Sequence, residues 1–343
     1  MLYLILGNNY INFFNNDHNF LIPVYYTIFK DRLTYFGAYS FLQYILFNQY
    51  LRNSSFSSSV SLNRVIVKKT IDNNILDNER IFFKIINSIF SKDSLFGSLV
   101  KVDSEYKEDY EEYKIYYPDW ELLNYYIKFS QEFFFIKRFD FDHFQTKIII
   151  DIFNYFNKKL KIVNSWEYYF KLFKDEIKYN RAYLFFYFGF YSIELFIISF
   201  GNLLYFLTNK YYNVSYKNLF NKLYSYLHQK GIFVKYIDLV NLSNFLLKNI
   251  VYIMHNEFDN IELELMSKDG DNFIKKYLFI YEFKPILFEF YKSLKDMFIN
   301  IFTNMNLQVI EDIYDGNFRI ISNYEVKDLF LGLLNDIILE VKV

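Results

Sequence analysis

"AYLFFYFGFYSIELFIISFGNLLYFL", residues 182–207, tests whether this chain builds a soluble fold or a membrane one. It carries a single charge, Glu194, in 26 residues, and is flanked by Arg181 and Lys210. As a helix it is long enough to span a bilayer. Against a span stand Glu194 at its centre, expensive in lipid when ionised, and the tyrosine and serine hydroxyls together with Asn202. A helix surrounded by others inside a bundle is equally apolar all round. The stretch is therefore expected to be a central buried helix over 181–208, with a membrane-associated helical protein as the alternative.

Composition supports a folding chain. Its 343 residues, 53% hydrophobic and 22% charged, provide for a large core and, by length, about two domains. The 43 phenylalanines and 35 tyrosines against 2 tryptophans accompany abundant Ile, Asn and Lys, a bias that A/T-rich codons produce, so the aromatics read first as core filler. With no cysteine there are no disulfides, thiolate zinc sites or thiol nucleophiles, which fits a reducing cytoplasm. A net charge of −1 gives no global attraction to nucleic acid or anionic lipid. The opening "MLYLILGNNYINFFNND" lacks a basic n-region and a small-residue cleavage site, so it reads as a first structural element.

Further along, residues 24–52 have a helical pattern broken at Gly37, and the serine-rich stretch 53–63 reads as a loop. "RVIVKKTI" suits a short strand, and a helix is expected from Asn78. A charged run at 101–114 leads to Pro118-Asp119, which suits the start of a helix. Helix patterns follow at about 142–158, 165–180, 181–208, 215–229, 238–256 and 282–304. The chain is thus expected to be all-α with few short strands. Its parts are a mainly helical N-terminal domain over 1–160, a helical bundle over 161–305, and a strand and helix extension over 306–343.

Sites are sparse. His143 near Asp140 and Asp142, and His18 beside Asp17, lack the spacing that sets two metal ligands on one helix face. "SKDGDNF", 267–273, reads as a plain turn, and the nine glycines form no phosphate loop. What remains is "FLLKNIVYIMHNEFDN", 245–260. On a continuous helix, Lys248 and His255, seven residues apart, point within roughly 20° of each other. Asn249 lies at the edge of that face.

The order of these segments resembles the HEPN superfamily of small helical domains, many of them RNases of toxin, CRISPR and abortive-infection systems. The resemblance rests on "YSIELFIISFGNLLYFL", then "SYKNLFNKLYSYLHQKGIFVKYI", then "LLKNIVYIMHNE". In length and composition the chain is also similar to abortive-infection (Abi) phage-resistance proteins of the AbiC type. Lys248, Asn249 and His255 match the family motif in position, with Lys248 where the family has arginine. An ammonium neutralises a phosphate as a point charge but lacks the planar fork of a guanidinium.

The resemblance implies a metal-independent endoribonuclease in phage defence, in which the 2′-hydroxyl of RNA attacks the adjacent phosphate. His255 would move protons, Lys248 would meet the phosphate charge, and Asn249 would orient one or the other. Glu194, a carboxylate in an apolar run, is a candidate partner for the motif-helix cation. The family further implies no cofactor, RNA as substrate, a homodimer, a phage-derived trigger and a cytoplasmic location without stable membrane insertion. A non-catalytic binding or sensor module in phage defence is the alternative.

Overall fold

Short apolar segments of alternating burial open the chain. β1 (Leu2–Leu6) buries Leu2, Leu4 and Leu6, β2 (Tyr10–Phe14) buries Ile11 and Phe13, and β3 (Asn19–Pro23) completes an antiparallel meander. The period-two pattern is that of strands with one face on a core. β4 (Tyr25–Phe29), β5 (Arg32–Phe36), α1 (Ala38–Phe47), β6 (Ser59–Leu62) and β7 (Val65–Lys69) follow, with a sheet order β5-β4-β7-β6. Then come α2 (Lys107–Glu112), α3 (Trp120–Phe129), β8 (Glu132–Lys137), α4 (His143–Tyr155), β9 (Lys159–Asn164) and α5 (Ser165–Leu172). β8 and β9 join β1 in parallel, giving a mixed sheet β3-β2-β1-β8-β9. α3 starts as Pro118-Asp119 suggests, the Asp119 side chain accepting the Leu122 N–H.

The computed structural model describes residues 1–6, 10–29, 32–47, 59–62, 65–69, 86, 89–90, 107–139, 143–190, 192–208, 214–258, 260–269 and 272–341. The chain divides into one unit of Met1–Asn48 and Ser57–Tyr168, and a second of Gln49–Phe56 and Tyr169–Val343.

In the second unit the apolar run is a meander: β10 (Ala182–Phe188), β11 (Ile193–Ser199) and β12 (Asn202–Thr208), all antiparallel. α6 (Tyr216–Gln229), α7 (Tyr236–Lys248) and α8 (Ile250–Met254) follow. A hairpin, β13 (Glu262–Asp269) and β14 (Asn272–Phe279), leads through a 3₁₀ turn (Ile280–Phe283) to α9 (Lys284–Thr303) and α10 (Leu307–Tyr314). β15 (Phe318–Ser322) returns parallel to β10, and α11 (Lys327–Val341) closes the unit. The sheet order is β12-β11-β10-β15.

The all-α expectation is therefore wrong, and so is the HEPN-like bundle placed over 161–305. Five strands, β10 to β14, lie inside that segment. The physical reason is that β10 and β11 are covered on both faces, which removes the alternation that betrays a strand. On one face Phe186 packs on Phe298 of α9 and Phe330 of α11, at ring distances of 5.5 and 5.4 Å. On the other, Phe196 meets Tyr169 of α5 at 6.3 Å and Phe185 meets Phe173 at 6.1 Å. All seven residues of β11 are buried, Glu194 among them. The membrane-associated helical alternative was built on a helix over this run, which is instead three strands; among the described residues no helix is long and apolar enough to cross a membrane.

Other expectations resolve locally. The helical pattern of 24–52 is β4, β5 and α1, and the helix of 238–256 is two helices, broken at Asn249. The helix expected at 215–229 is α6, capped by Ser215. Most of the serine-rich stretch, the start of the helix from Asn78, residues 101–106 of the charged run, and Asp140 and Asp142 lie outside the described residues.

Candidate functional site

In open sheets with parallel strands, ligands bind in the crevice beyond the carboxyl ends of those strands. In the second unit these ends are Phe188 of β10 and Ser322 of β15, which are register partners. The Ser322 hydroxyl donates to the Phe188 carbonyl and accepts the Tyr324 N–H, both at 2.9 Å, which bends the chain leaving β15 back over β10. Tyr324 is thereby stacked on Tyr216, the first residue of α6, with centroids 4.3 Å apart and planes 21° from parallel. Burial pushes the Tyr216 phenol up in pKa, and its hydroxyl donates to Asn244 Oδ1 of α7 at 2.6 Å.

Between the last turns of α7 and the segment after β15 lies a cleft of about 260 Å³, lined by Asn244, Phe245, Lys248, Asn323, Tyr324 and Glu325. Lys248 Nζ meets Glu325 Oε2 at 2.5 Å across it, and that hydrogen bond holds the ammonium pKa above its usual range. Both side chains are more than half exposed, so the pair opens readily. The lining offers two carboxamides, each able to donate and accept, one cation, one carboxylate and two aromatic rings. That set suits a flat, hydrogen-bonding ligand the size of a nucleobase or nucleoside.

The other turn at this end of the sheet is closed. The Gly189 N–H donates to the Ser192 carbonyl at 2.8 Å, and the Phe190 carbonyl accepts the Lys217 N–H of α6 at 2.9 Å. Ser215 satisfies the Asn218 N–H of the same helix end. Tyr187 lies over Gly189, where a Cβ would come within 2.9 Å of its hydroxyl. Ser192 is buried, its hydroxyl without a hydrogen-bond partner among the described residues.

The residues singled out by sequence are dispersed. Lys248 ends α7 and lines the cleft; Asn249 separates α7 from α8, its side-chain amide donating to the Phe245 carbonyl at 2.8 Å. His255 caps α8 and lines a different cavity, bounded by α8, α9 and α11. The interruption at Asn249, with φ −100° and ψ 10°, removes the continuous helix on which the Lys248–His255 alignment depended. Glu194 sits in β11 opposite Tyr187 and Thr208, 1% exposed. Sequence reasoning missed Asn244, Asn323, Tyr324 and Glu325, for which no local motif exists; their only signal is position, at a helix end and after a strand. Among the described residues no group of His, Asp and Glu is arranged to hold a metal.

No family model and no curated protein matches the sequence. The structure, in contrast, is similar to MreB 5 of Spiroplasma citri bound to AMPPNP, with a TM-score of 0.65 at 10% identity over 99% of this chain and 94% of that one. The crystal structure of MreB5 of Spiroplasma citri bound to ADP aligns at a TM-score of 0.61, also at 10% identity, over 99% of this chain and 96% of the other. At this identity the likeness establishes the fold, a mixed α/β architecture of the MreB and actin kind. It overturns the HEPN and AbiC-type resemblance. The endoribonuclease and its non-catalytic sensor variant fall with it, as does the partner set of RNA, homodimer and phage-derived trigger.

Proposed function

We propose that the protein is an MreB-like, cytoskeletal-type nucleotide-binding protein whose nucleoside end sits in the cleft between α7 and the segment after β15. The observation that carries this reading is the fold likeness, over nearly the whole of both chains, to MreB 5 bound to AMPPNP. The cleft adds chemical support. Phe245 and Tyr324 supply faces on which a base stacks, Asn244 and Asn323 supply amide edges, and Glu325 accepts hydrogen bonds from ribose hydroxyls once Lys248 swings away.

The residues present fit the nucleoside better than the polyphosphate. A phosphate cradle needs free backbone N–H groups, commonly at a helix N-terminus or in a glycine-rich loop. Here the Gly189 and Lys217 N–H groups are already engaged and Tyr187 covers the turn. No hydrolytic step follows from this arrangement. The expected location is the cytoplasm, in keeping with the absence of cysteine.

Calorimetric titration with adenosine, ADP and AMPPNP tests the reading. All three should bind, with affinities within about tenfold of one another, because the phosphates find little to hold them among the described residues. Phosphate release from ATP should stay at background. Asn323→Ala, at an exposed position, should weaken adenosine by about tenfold through a lost hydrogen-bond pair, with an unchanged melting temperature. Absence of binding by all three ligands sinks the proposal. High-speed sedimentation with and without nucleotide reports the cytoskeletal-type assembly.

A further inference from the structure

We propose that the cavity bounded by α8, α9 and α11 is a second binding site, which takes an amphiphilic anion: an apolar body carrying one carboxylate- or sulfonate-type head. It is separate from the nucleoside cleft and does not depend on it. The cavity holds about 440 Å³, within the roughly 300–1,000 Å³ of small-molecule sites.

Its origin lies in the lengths of the helices. α9 runs 20 residues and carries Phe288, Lys292, Lys295 and Ile299 at intervals of four, three and four, a single stripe along its surface. α8 has only five residues and covers part of that stripe, so Phe288 is left 55% exposed. On the inner side the Val251 side chain of α8 packs against the α11 backbone at Gly332. A Cβ on Gly332 would fall 2.7 Å from Val251 Cγ2, so the glycine is what lets the two helices meet and seal the cavity wall. Val251, Met254, Phe288 and Ile299 make the apolar lining.

The polar groups fall into two sets. Asp336 accepts the Tyr291 hydroxyl at 3.0 Å and lies 3.8 Å from Lys295 Nζ, so this acid and this base answer each other. Lys292 and His255 also line the cavity, and neither side chain has a hydrogen bond or ion pair with a described residue. Two uncommitted donors thus border an apolar cavity, the arrangement that receives an anionic head while its tail is buried. Asp296, one turn beyond Lys292, also lines the cavity and repels anionic charge, so a head with one negative charge is favoured over one with two.

The probe is 8-anilinonaphthalene-1-sulfonate, an aromatic body with a single sulfonate, titrated by fluorescence into the folded full-length protein. Decanoate should displace it at concentrations at least about tenfold lower than decylammonium, since one charge-assisted hydrogen bond is gained and a repulsion avoided. Lys292→Glu should weaken both probe and decanoate by about tenfold or more. Met254→Trp, which fills the cavity, should abolish binding, and unchanged melting curves for both variants show that the fold is intact. Adenosine should not compete, which keeps this outcome distinguishable from the fate of the nucleoside cleft. Equal displacement by decanoate and decylammonium, full probe binding by Lys292→Glu, or no probe binding to the native protein overturns the proposal.

Discussion

At the turn between β11 and β12, Phe200 and Gly201 have φ of 50° and 74°, the two left-handed positions of a hairpin whose twist matches its strands. A Cβ on Gly201 would also lie 3.0 Å from Tyr179 Cε2. Gly201→Ala should therefore cost about 1 kcal/mol in backbone strain and somewhat more in crowding. Gly231→Ala, at φ +69° with nothing within 4 Å, should show the strain alone. Urea unfolding of the two variants tests this, and a larger loss at Gly231 contradicts it. Asp312 shows how a single carboxylate can anchor a strand. Burial pushes its pKa up, but the Ala182 N–H at 2.8 Å and Arg181 Nη1 at 2.5 Å bring it below the ordinary value. A lowered folded pKa gives stability that is present above the unfolded value of about 3.9 and is lost as pH falls through the folded value. The melting-temperature gap between wild type and Asp312→Asn should thus be wide at neutral pH and narrow below about pH 4. A gap that stays constant with pH shows that the carboxylate charge has no part in the anchor.

Among the elements, the sheet of the second unit separates two kinds of aromatic residue. Phe186 on β10 is fully buried between α9 and α11, whereas Phe206 on the edge strand β12 is 50% exposed. Phe186→Ala should cost about 3–5 kcal/mol by leaving a cavity, while Phe206→Ser should stay within about 0.5 kcal/mol. Comparable losses in chemical denaturation place both residues in one core and refute the two-face arrangement. The helical elements were easier to read because their ends are marked locally. Asp119 before α3 and Ser215 before α6 each accept an N–H three residues on, whereas α10, capped in the same way by Asn306, was not anticipated within the 306–343 extension. The break between α7 and α8 had no such mark: Asn249 is an ordinary polar residue in an apolar helical pattern, and only the cap geometry at that position reveals the interruption.

For the molecule as a whole, the two units repeat one plan, an antiparallel meander whose first strand is joined by a later parallel strand: β1–β3 with β8, and β10–β12 with β15. Each of these two sheets has its own buried aromatic residues, so the second unit, residues 169–343 with 49–56 joined ahead of them by a short linker, should fold alone, with a mixed helix and strand circular-dichroism spectrum and a cooperative melt. A fragment without a melting transition rejects that autonomy. The sequence by itself determined that this chain buries a large aromatic core, has no disulfide or thiolate chemistry, and begins several helices at recognisable caps. It also contained, at Gly189 and Gly201, the punctuation that divides the apolar run into strands. Tertiary structure alone decided that this run is sheet, because helices on both faces make every position of β11 apolar or buried and so erase the periodicity that separates helix from strand. It alone also made the cleft: Asn244 and Lys248 meet Asn323 and Glu325, far apart in sequence, because β15 pairs in parallel with β10 and carries its trailing segment to the end of α7. Local sequence records the propensities of neighbours along the chain, and that contact is made between segments that are neighbours only in space.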